Sequence, residues 1–597
     1  MTPMGVATHN VIGRLAASIG GYGSAAPQFQ AALDVPRGGV LCTLPALLAM
    51  GLLEGTDTYF TLPPGYYAAD SLLMLLAFMA LNRMQSIEAL RDDAPGEWGK
   101  LLGLDRVPEV RTLREKVQIM SHTGKPEEWS ARLGQRWMGQ ADGMDTSAAN
   151  VLCIDGHVRV YHGQQTQLPR HYVAREKLCL RATVDYWVNA LDGQPFMVIN
   201  QVVDPGLIRS IEEEILPLLE ARHPAFAKPA PGEAEQVAEA SKTTDMAQAT
   251  LEGEVIPASA ARRVPPRLTL VFDREGYSPE FFQRMRDKGI ACLTYHKYPG
   301  LAWPEEEFQA TSVRLANDQV VSMRLAERGT CLSNGLWVRE IRKLTERGHQ
   351  TPILATDYRT PMETLASRMF ARWSQENFFR YARINFGLDR LADYRTEEIT
   401  DPIQVVNPAY RTLDSQVRSA NGKLGRMLAQ FGELTIEESI EAEKMEPFLA
   451  AKSALHEQIE RLKTDIAKLK AERKATSHYV KIQDLPEADR FRKLATASKH
   501  FIDTIKIVAY RAECAMTNIV RELMPKPDQA RALIATLHTT EADILPDHTN
   551  KSLTVCLHRS ARAHTDAVIA KLCDELSATE TVFPRTELRM IFKLGSA

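Results

Sequence analysis

Cysteine is sparse in this 597-residue chain and is never arranged for metal. The eight thiols, Cys42, Cys153, Cys179, Cys292, Cys331, Cys514, Cys556 and Cys573, include no CxxC pair and fit no zinc module. Most stand in apolar runs, which reads as core thiols in a reducing compartment. Long apolar runs are lacking too. The most apolar stretch, Ser71 to Leu81, is shorter than the roughly 20 residues a membrane helix needs. The N-terminus has no basic-then-apolar secretion pattern. Nor is there an excess of one charge: the net charge is −3 and the pI about 6.6. Binding of nucleic acid by bulk charge is thereby excluded, and any DNA surface must be a local basic patch. No internal repeat is found. The expectation is a cytoplasmic protein of several domains with no membrane partner.

What is present changes character along the chain. Residues 1 to about 35 are rich in Gly, Ala and Ser and read as loosely ordered. From Thr43 the pattern is helical, with Asp70 as N-cap of a helix running to about Arg91. Gly96 to Met120 reads as short helix, turn, longer helix. The second helix carries Arg111, Arg114 and Lys116, as a helix-turn-helix DNA reader would; a small bundle with charged outer faces gives the same pattern. A helical N-terminal DNA-end-binding domain is expected over 1–140.

At Asn150 the pattern becomes β-rich. Three strand-like runs, a helix after Pro205, the strand RLTLVFD, the helix SPEFFQRMRDKG and the strand IACLTYHK follow in turn, giving the order β-β-β-α-β-α-β. Residues 225–266 read as a flexible insertion poor in large apolar groups, and 298–357 as a mainly β insertion. The strand TPILATD then leads into RMFARWSQENFFRYARIN, a helix after Pro361. Residues 403–478 hold two helical seams, the second being Leu455, Ile459, Leu462, Ile466 and Leu469 at 4,3,4,3 spacing. They form a helical hairpin or a coiled coil. Residues 479–597 read as a helical C-terminal domain with one β element near SLTVCLH.

Three acids stand out. Asp155 and Asp273 sit at or near the ends of apolar strands. Glu376 lies on the helix, four residues after Arg372 and on one face with it and with Arg383. Strand, strand and helix acids in that order are what two-metal phosphoryl transfer requires, and carboxylates suit Mg²⁺ as hard oxygen ligands. The element order is that of an RNase H-like fold, an α/β core expected over 150–395. In that fold the first strand, fourth strand and last helix bring their acids together.

On these residues the chain resembles the DDE transposases of bacterial insertion sequences. It is similar to the group with a β insertion and a Tyr-x2-Arg-x3-Glu-x6-Lys signature around the last acid. Arg372 and Glu376 match the signature, with Trp373, Phe378 and Phe379 beside them. Met369 stands where tyrosine is usual and Arg383 where lysine is usual. The resemblance implies an enzyme that binds its element's ends, cleaves DNA and joins 3′-OH ends to target DNA. Asp155, Asp273 and Glu376 would be its catalytic and metal residues, holding two Mg²⁺ for which Mn²⁺ can substitute. Its partners would be end and target DNA, and a homodimer in the synaptic complex. Arg372, Arg380, Arg383 and Lys297 are candidate DNA contacts, since arginine suits bidentate phosphate binding; for each, a surface salt bridge is the plain alternative. Trp303 and Trp337 read better as core than as base-stacking groups. Two rival readings are an RNase H-like nuclease without strand transfer and a transposase-derived DNA-binding scaffold without catalysis. Other acids weigh less: Asp357 as strand end or helix cap, Asp185 as an edge charge, Glu275 and His157 as accessory groups.

Overall fold

The computed structural model describes residues 10–21, 23–141, 150–163, 168–173, 175–201, 204–222, 248–251, 254–257, 266–315, 319–390, 396–397, 404–433, 442–486, 493–494, 496–560 and 562–595. The architecture is mixed α/β. Contacts divide the chain into two units, one of 1–161, 170–395 and 495–597, the other of 162–169 and 396–494.

The first unit is built on a ten-stranded sheet. Its centre is β2 (Val151–Val160), with β3 (Arg170–Val173), β4 (Leu178–Asn189) and β5 (Pro195–Asn200) in an antiparallel set on one side. On the other side β6 (Leu268–Val271) and β7 (Ile290–Tyr295) run parallel to β2. Both are short and continuously apolar because both of their faces are covered. The crossover between them is the helix α5 (Pro279–Asp287). Ser278 caps it, accepting from the Phe281 amide at 3.3 Å, and Pro279 fills its first position. Before β6, α4 (Leu207–Arg222) contains one π-turn at Ile211–Ile215. Pro217 follows it and cannot donate the usual backbone hydrogen bond, which fits the local widening.

The β insertion continues this same sheet. The strands β8 (Gln309–Arg314), β9 (Val320–Cys331), β10 (Trp337–Leu344) and β11 (Gln350–Ala355) form an antiparallel series, and β11 pairs with β7. Most of 225–266 lies outside the described residues; 248–251 and 254–257 pair as a short hairpin.

The N- and C-terminal segments were expected as separate domains, yet they share one core with the sheet. A 27-residue helix, α10 (Ala497–Leu523), packs on α1 (Ala69–Leu81), α2 (Val110–His122), α3 (Pro126–Ala141) and β5. The N-terminus is less loose than its composition implies. β1 (Ala32–Val35) pairs with β12 (Ala542–Asp547) in a second sheet completed by β13 (Ser552–Leu557) and β14 (Arg589–Leu594), and Ala25 and Phe29 are buried. Helix α1 starts one residue before Asp70, whose place is the first turn rather than the cap, and stops at Leu81. Arg83, at φ 62°, turns the chain away there.

The second unit is dominated by α8 (Pro408–Glu433) and α9 (Ala442–Ala475). Arg473 near the end of α9 bonds Asp414 near the start of α8 at 2.6 Å, so the two helices are antiparallel. Val417, Ile459 and Ile466 are buried in the seam between them. Among the described residues no helix is long and apolar enough to cross a membrane.

Candidate catalytic site

The site forms where β6 ends beside the middle of β2. Their parallel register pairs Val151 with Thr269 and Cys153 with Val271. Two residues further on, each strand places an aspartate, Asp155 and Asp273. Neighbouring strands lie about 4.8 Å apart, so this register makes the two acids neighbours. Asp155 is opposite Trp187 of β4 and accepts from the Gly156 amide at 3.0 Å. Asp273 caps a short 3₁₀ turn, accepting from the Glu275 amide at 2.9 Å, and its carbonyl accepts from Thr294 of β7 at 2.9 Å.

The third acid arrives on a broken helix. The expected single helix is two, α6 (Met362–Ala371) and α7 (Trp373–Phe386), joined at Arg372. Arg372 keeps helical backbone angles at this junction, φ −54° and ψ −24°. Its guanidinium is buried and bonds Asp155 at 3.0 Å and Glu376, in the first turn of α7, at 3.1 Å. Gln375 anchors the start of α7 from below. Its amide donates to Asn189 at 2.9 Å and to the carbonyls of Cys153 and Trp187 at 3.3 Å. Gly193, in the β4–β5 turn at φ 87°, lets α7 come this close; a Cβ there would meet the Ser374 carbonyl at 2.5 Å. On the outer side, Tyr381 and Arg83 both bond Glu513 of α10. Below the acids, Val151, Cys153, Val271, Leu293, Leu365 and Met369 form an apolar floor. Met369 is fully buried in it, so the residue at the tyrosine position of the signature serves as core.

The charges do not cancel. Asp155 is pushed up to about 6: withdrawal from water raises it, Arg372 opposes this, and Asp273 and Glu376 add repulsion. Arg372 is held above its ordinary value by the same three acids, against the effect of burial. Glu275 rises to about 7, through partial desolvation and the charges of Asp204, Asp273 and Asp155. Its side chain keeps much of its solvent contact, so the neighbouring charges are the firmer cause. Asp204 itself accepts from Tyr186 at 2.7 Å and from the Gly206 amide at 2.8 Å. Among the described residues, Asp34, Asp543 and His558 are the one group whose ligand atoms all lie within 4.8 Å. Asp155, Asp273 and Glu376 are therefore spread more widely than that, with Arg372 spanning Asp155 and Glu376.

The other predicted residues divide. Arg383 lies further along α7 and acts on Asp389 rather than on the acids. Arg380 and Trp373 are exposed. Lys297 is exposed over the Tyr298 ring, 5.8 Å from its centroid. It lines an open pocket of about 690 Å³ with Tyr277, His296 and Glu340, which begins four residues after Asp273. Arg111 pairs with Glu115 at 3.2 Å and Arg114 with Glu88; Lys116 is half-buried on α2. His157 is committed to Asp389 at 2.6 Å and stacks on Phe379. Asp357 accepts from the Arg359 and Thr360 amides as a turn cap. Asp185 is buried beside Arg159 at 3.4 Å, not at an edge. Trp303 packs with Phe308 and Leu344, and Trp337 stacks on Tyr358.

Sequence reasoning missed Gln375, Asn189, Asp204, Tyr186 and Asp389. A lone amide or tyrosine on an apolar strand carries no spacing signal. Only Gln375, one residue before the predicted acid and about 100° round the helix from it, was findable in principle as an inward polar group.

The family described as "Transposase protein" matches this chain over residues 5–238 and 247–596. No curated protein matches it.

Proposed function

We propose, from the premise that the chain belongs to this transposase family, that it is a DDE enzyme of a bacterial insertion sequence with an RNase H-like core. It cleaves DNA at its element's ends and joins the 3′-OH ends to target DNA. The observation that carries the reading is the grip of Arg372 on Asp155 and Glu376, from mid-strand and a helix, with Asp273 just past the end of the adjacent strand. Apart from the short extra strand β3 and the 248–257 hairpin, the strands and helices from β2 to β7 follow the expected β-β-β-α-β-α-β order, which supports the fold assignment.

The residues present fit Mg²⁺. Three hard carboxylates surround one buried cation, and Asp155 is raised first by burial and then by the charges of Asp273 and Glu376, which Arg372 only partly offsets. Asp155, Asp273 and Glu376 would hold the ions, with Asp155 and Asp273 fixed by backbone amides. Glu376 is half exposed and can turn from Arg372 toward the aspartates. Two Mg²⁺, or Mn²⁺, would activate a water or 3′-hydroxyl and stabilise the leaving oxygen. Arg372 then keeps one guanidinium face on Asp155 and orients the start of α7. Lys297, Arg274 and Arg380 are exposed around the site and suit phosphate contact. The basic groups of α2 would contact the element's end. End synapsis calls for a dimer.

The test uses the full chain with a short duplex carrying the element's end, plus plasmid target, in Mg²⁺. Wild type yields nicked end and joined product, and Asp273→Asn yields neither. Nicking without joining would instead favour a nuclease. DNA binding without nicking by wild type would favour a non-catalytic scaffold.

A further inference from the structure

A second cluster of metal-ligand type lies in the sheet that unites the chain's two ends. We propose that Asp34, Asp543 and His558 form a transition-metal site, of the kind that takes Zn²⁺, independent of the acids around Arg372 and of their Mg²⁺ chemistry. The ladder of β12 and β13 places Ala542 opposite Leu557 and Asp543 opposite Cys556. His558 follows β13, and its amide donates to the Glu541 carbonyl at 3.1 Å, extending the register by one pair. Residues 541, 543, 556 and 558 consequently face the same side of the sheet. Asp34 reaches that side from an irregularity in the β1–β12 pairing, and its amide donates to the Asp543 carboxylate at 2.9 Å.

The spacing is that of a coordination sphere. Nε2 of His558 is 3.1 Å from Oδ1 of Asp543 and 3.6 Å from Oδ1 of Asp34. A tetrahedral ion with N and O ligands at about 2.05 Å sets its ligand atoms roughly 3.3 Å apart. The other ring nitrogen, Nδ1, faces Oε2 of Glu541 at 3.8 Å. A carboxylate on the far nitrogen is how ligating histidines are commonly oriented. It also sets this cluster apart from a collection of surface acids, because an imidazole stands at its centre. Burial is graded as an ion site with an open position needs: Asp543 is nearly covered and Asp34 is exposed. Cys556, on the same face, is not one of the three, since its thiol donates to the Gly595 carbonyl at 2.7 Å. The imidazole favours Zn²⁺ over Mg²⁺. The ligands come from β1, β12 and the end of β13, so a bound ion would fasten the four-residue N-terminal strand to the C-terminal sheet.

A histidine–carboxylate ion pair would make the same contacts without metal, and the experiment separates the two. The full chain is stripped with chelator and dialysed against Zn²⁺ at micromolar concentration with Mg²⁺ in large excess. Bound Zn²⁺ is counted and the Tm is read. The site predicts one Zn²⁺ equivalent, with a raised Tm, that survives in the Asp155→Asn variant and is lost in His558→Ala. Asp34→Asn should weaken it about tenfold or more. That second variant guards against a folding artefact: residue 34 is exposed, and its φ of 51° suits asparagine. Co²⁺ in the same site should give a tetrahedral absorption spectrum that His558→Ala lacks. If wild type binds no more Zn²⁺ than His558→Ala and Asp34→Asn do, the cluster is an ion pair only and the proposal is overturned.

Discussion

Two charged clusters in the first unit, each mixing acids with basic side chains, behave oppositely. At the candidate site, three acids surround one arginine, and Asp155 is pushed up to about 6. Beneath α10, Arg159, Asp185, Lys499, Asp503 and Lys506 are all buried. There Lys499 bonds Asp503 and the Leu388 carbonyl, Lys506 the Gly387 carbonyl, and Arg159 Thr183 and Asp185. Asn200 links the two aspartates at 3.0 and 3.2 Å. Burial would raise the Asp503 carboxyl, but Lys499 and Lys506 hold it below its ordinary value. The α10 cluster carries three cations for two carboxylates, and burial with Lys499 beside it pushes Lys506 down to about 7; the cluster around Arg372 has the opposite excess, three acids for one cation. The sign of the excess charge, together with the exposure of Glu376, distinguishes the site from the scaffold.

The comparison is broken most severely by exchanging the two behaviours. Asp155→Asn should lower cleavage on the order of a thousandfold while leaving the fold as stable as wild type or more so. Asp503→Asn strands the Lys499 ammonium in the core and should cost about 3–5 kcal/mol in denaturant unfolding. Equal stability of the Asp503→Asn protein and wild type would remove the distinction.

The pH dependence sharpens it. A carboxyl raised in the fold gives stability that is fully present below its unfolded value of about 4 and is lost as pH rises through about 6. Asp155 should thus cost up to about 3 kcal/mol between pH 4 and pH 7. Asp155→Asn should flatten that part of the unfolding curve, measured as wild type minus variant.

A smaller effect is expected at Gln375→Leu. The side chain keeps nearly its volume but loses its bonds to Asn189 and to β2 and β4, so α7 is less well held. Cleavage should fall by about 10- to 100-fold, with a stability loss of about 1–2 kcal/mol and unchanged end-DNA affinity by gel shift. Smallest is the Arg111, Arg114, Lys116 triple alanine variant. Two of the three are already paired with glutamates. The salt slope of end binding should still fall by about one to two; an unchanged slope would take α2 out of the interface.

Much of the sheet was legible from sequence because β6 and β7 are short apolar runs separated by a helical pattern, and β2 opens on the apolar run Val151–Ile154. Asp155, Asp273 and Glu376 were legible as candidates because the two aspartates follow apolar runs and Glu376 lies four residues after Arg372. The break at Arg372 was not, since Ala371–Arg372–Trp373 contains no proline or glycine and only tertiary bonds to Asp155 select it. Helix α10 reads as an ordinary amphipathic helix; that Lys499, Asp503 and Glu513 point inward depends on partners up to several hundred residues away. Asp34 belongs to a segment that looked loose and His558 to the one β element expected in the C-terminal region, and only the pairing of β1 with β12 brings them together.

The most direct measurement is the rate of end cleavage and strand transfer by Glu376→Gln in Mg²⁺, with DNA affinity and Tm measured on the same preparation. The amide keeps the shape of the side chain and removes one charge and one strong oxygen ligand. Catalysis is predicted to drop by about three orders of magnitude, with end binding retained and stability changed by less than about 1 kcal/mol, since the Arg372–Glu376 pair is half exposed. Cleavage and joining at near wild-type rate would contradict the account, leaving Glu376 as no more than the partner of Arg372.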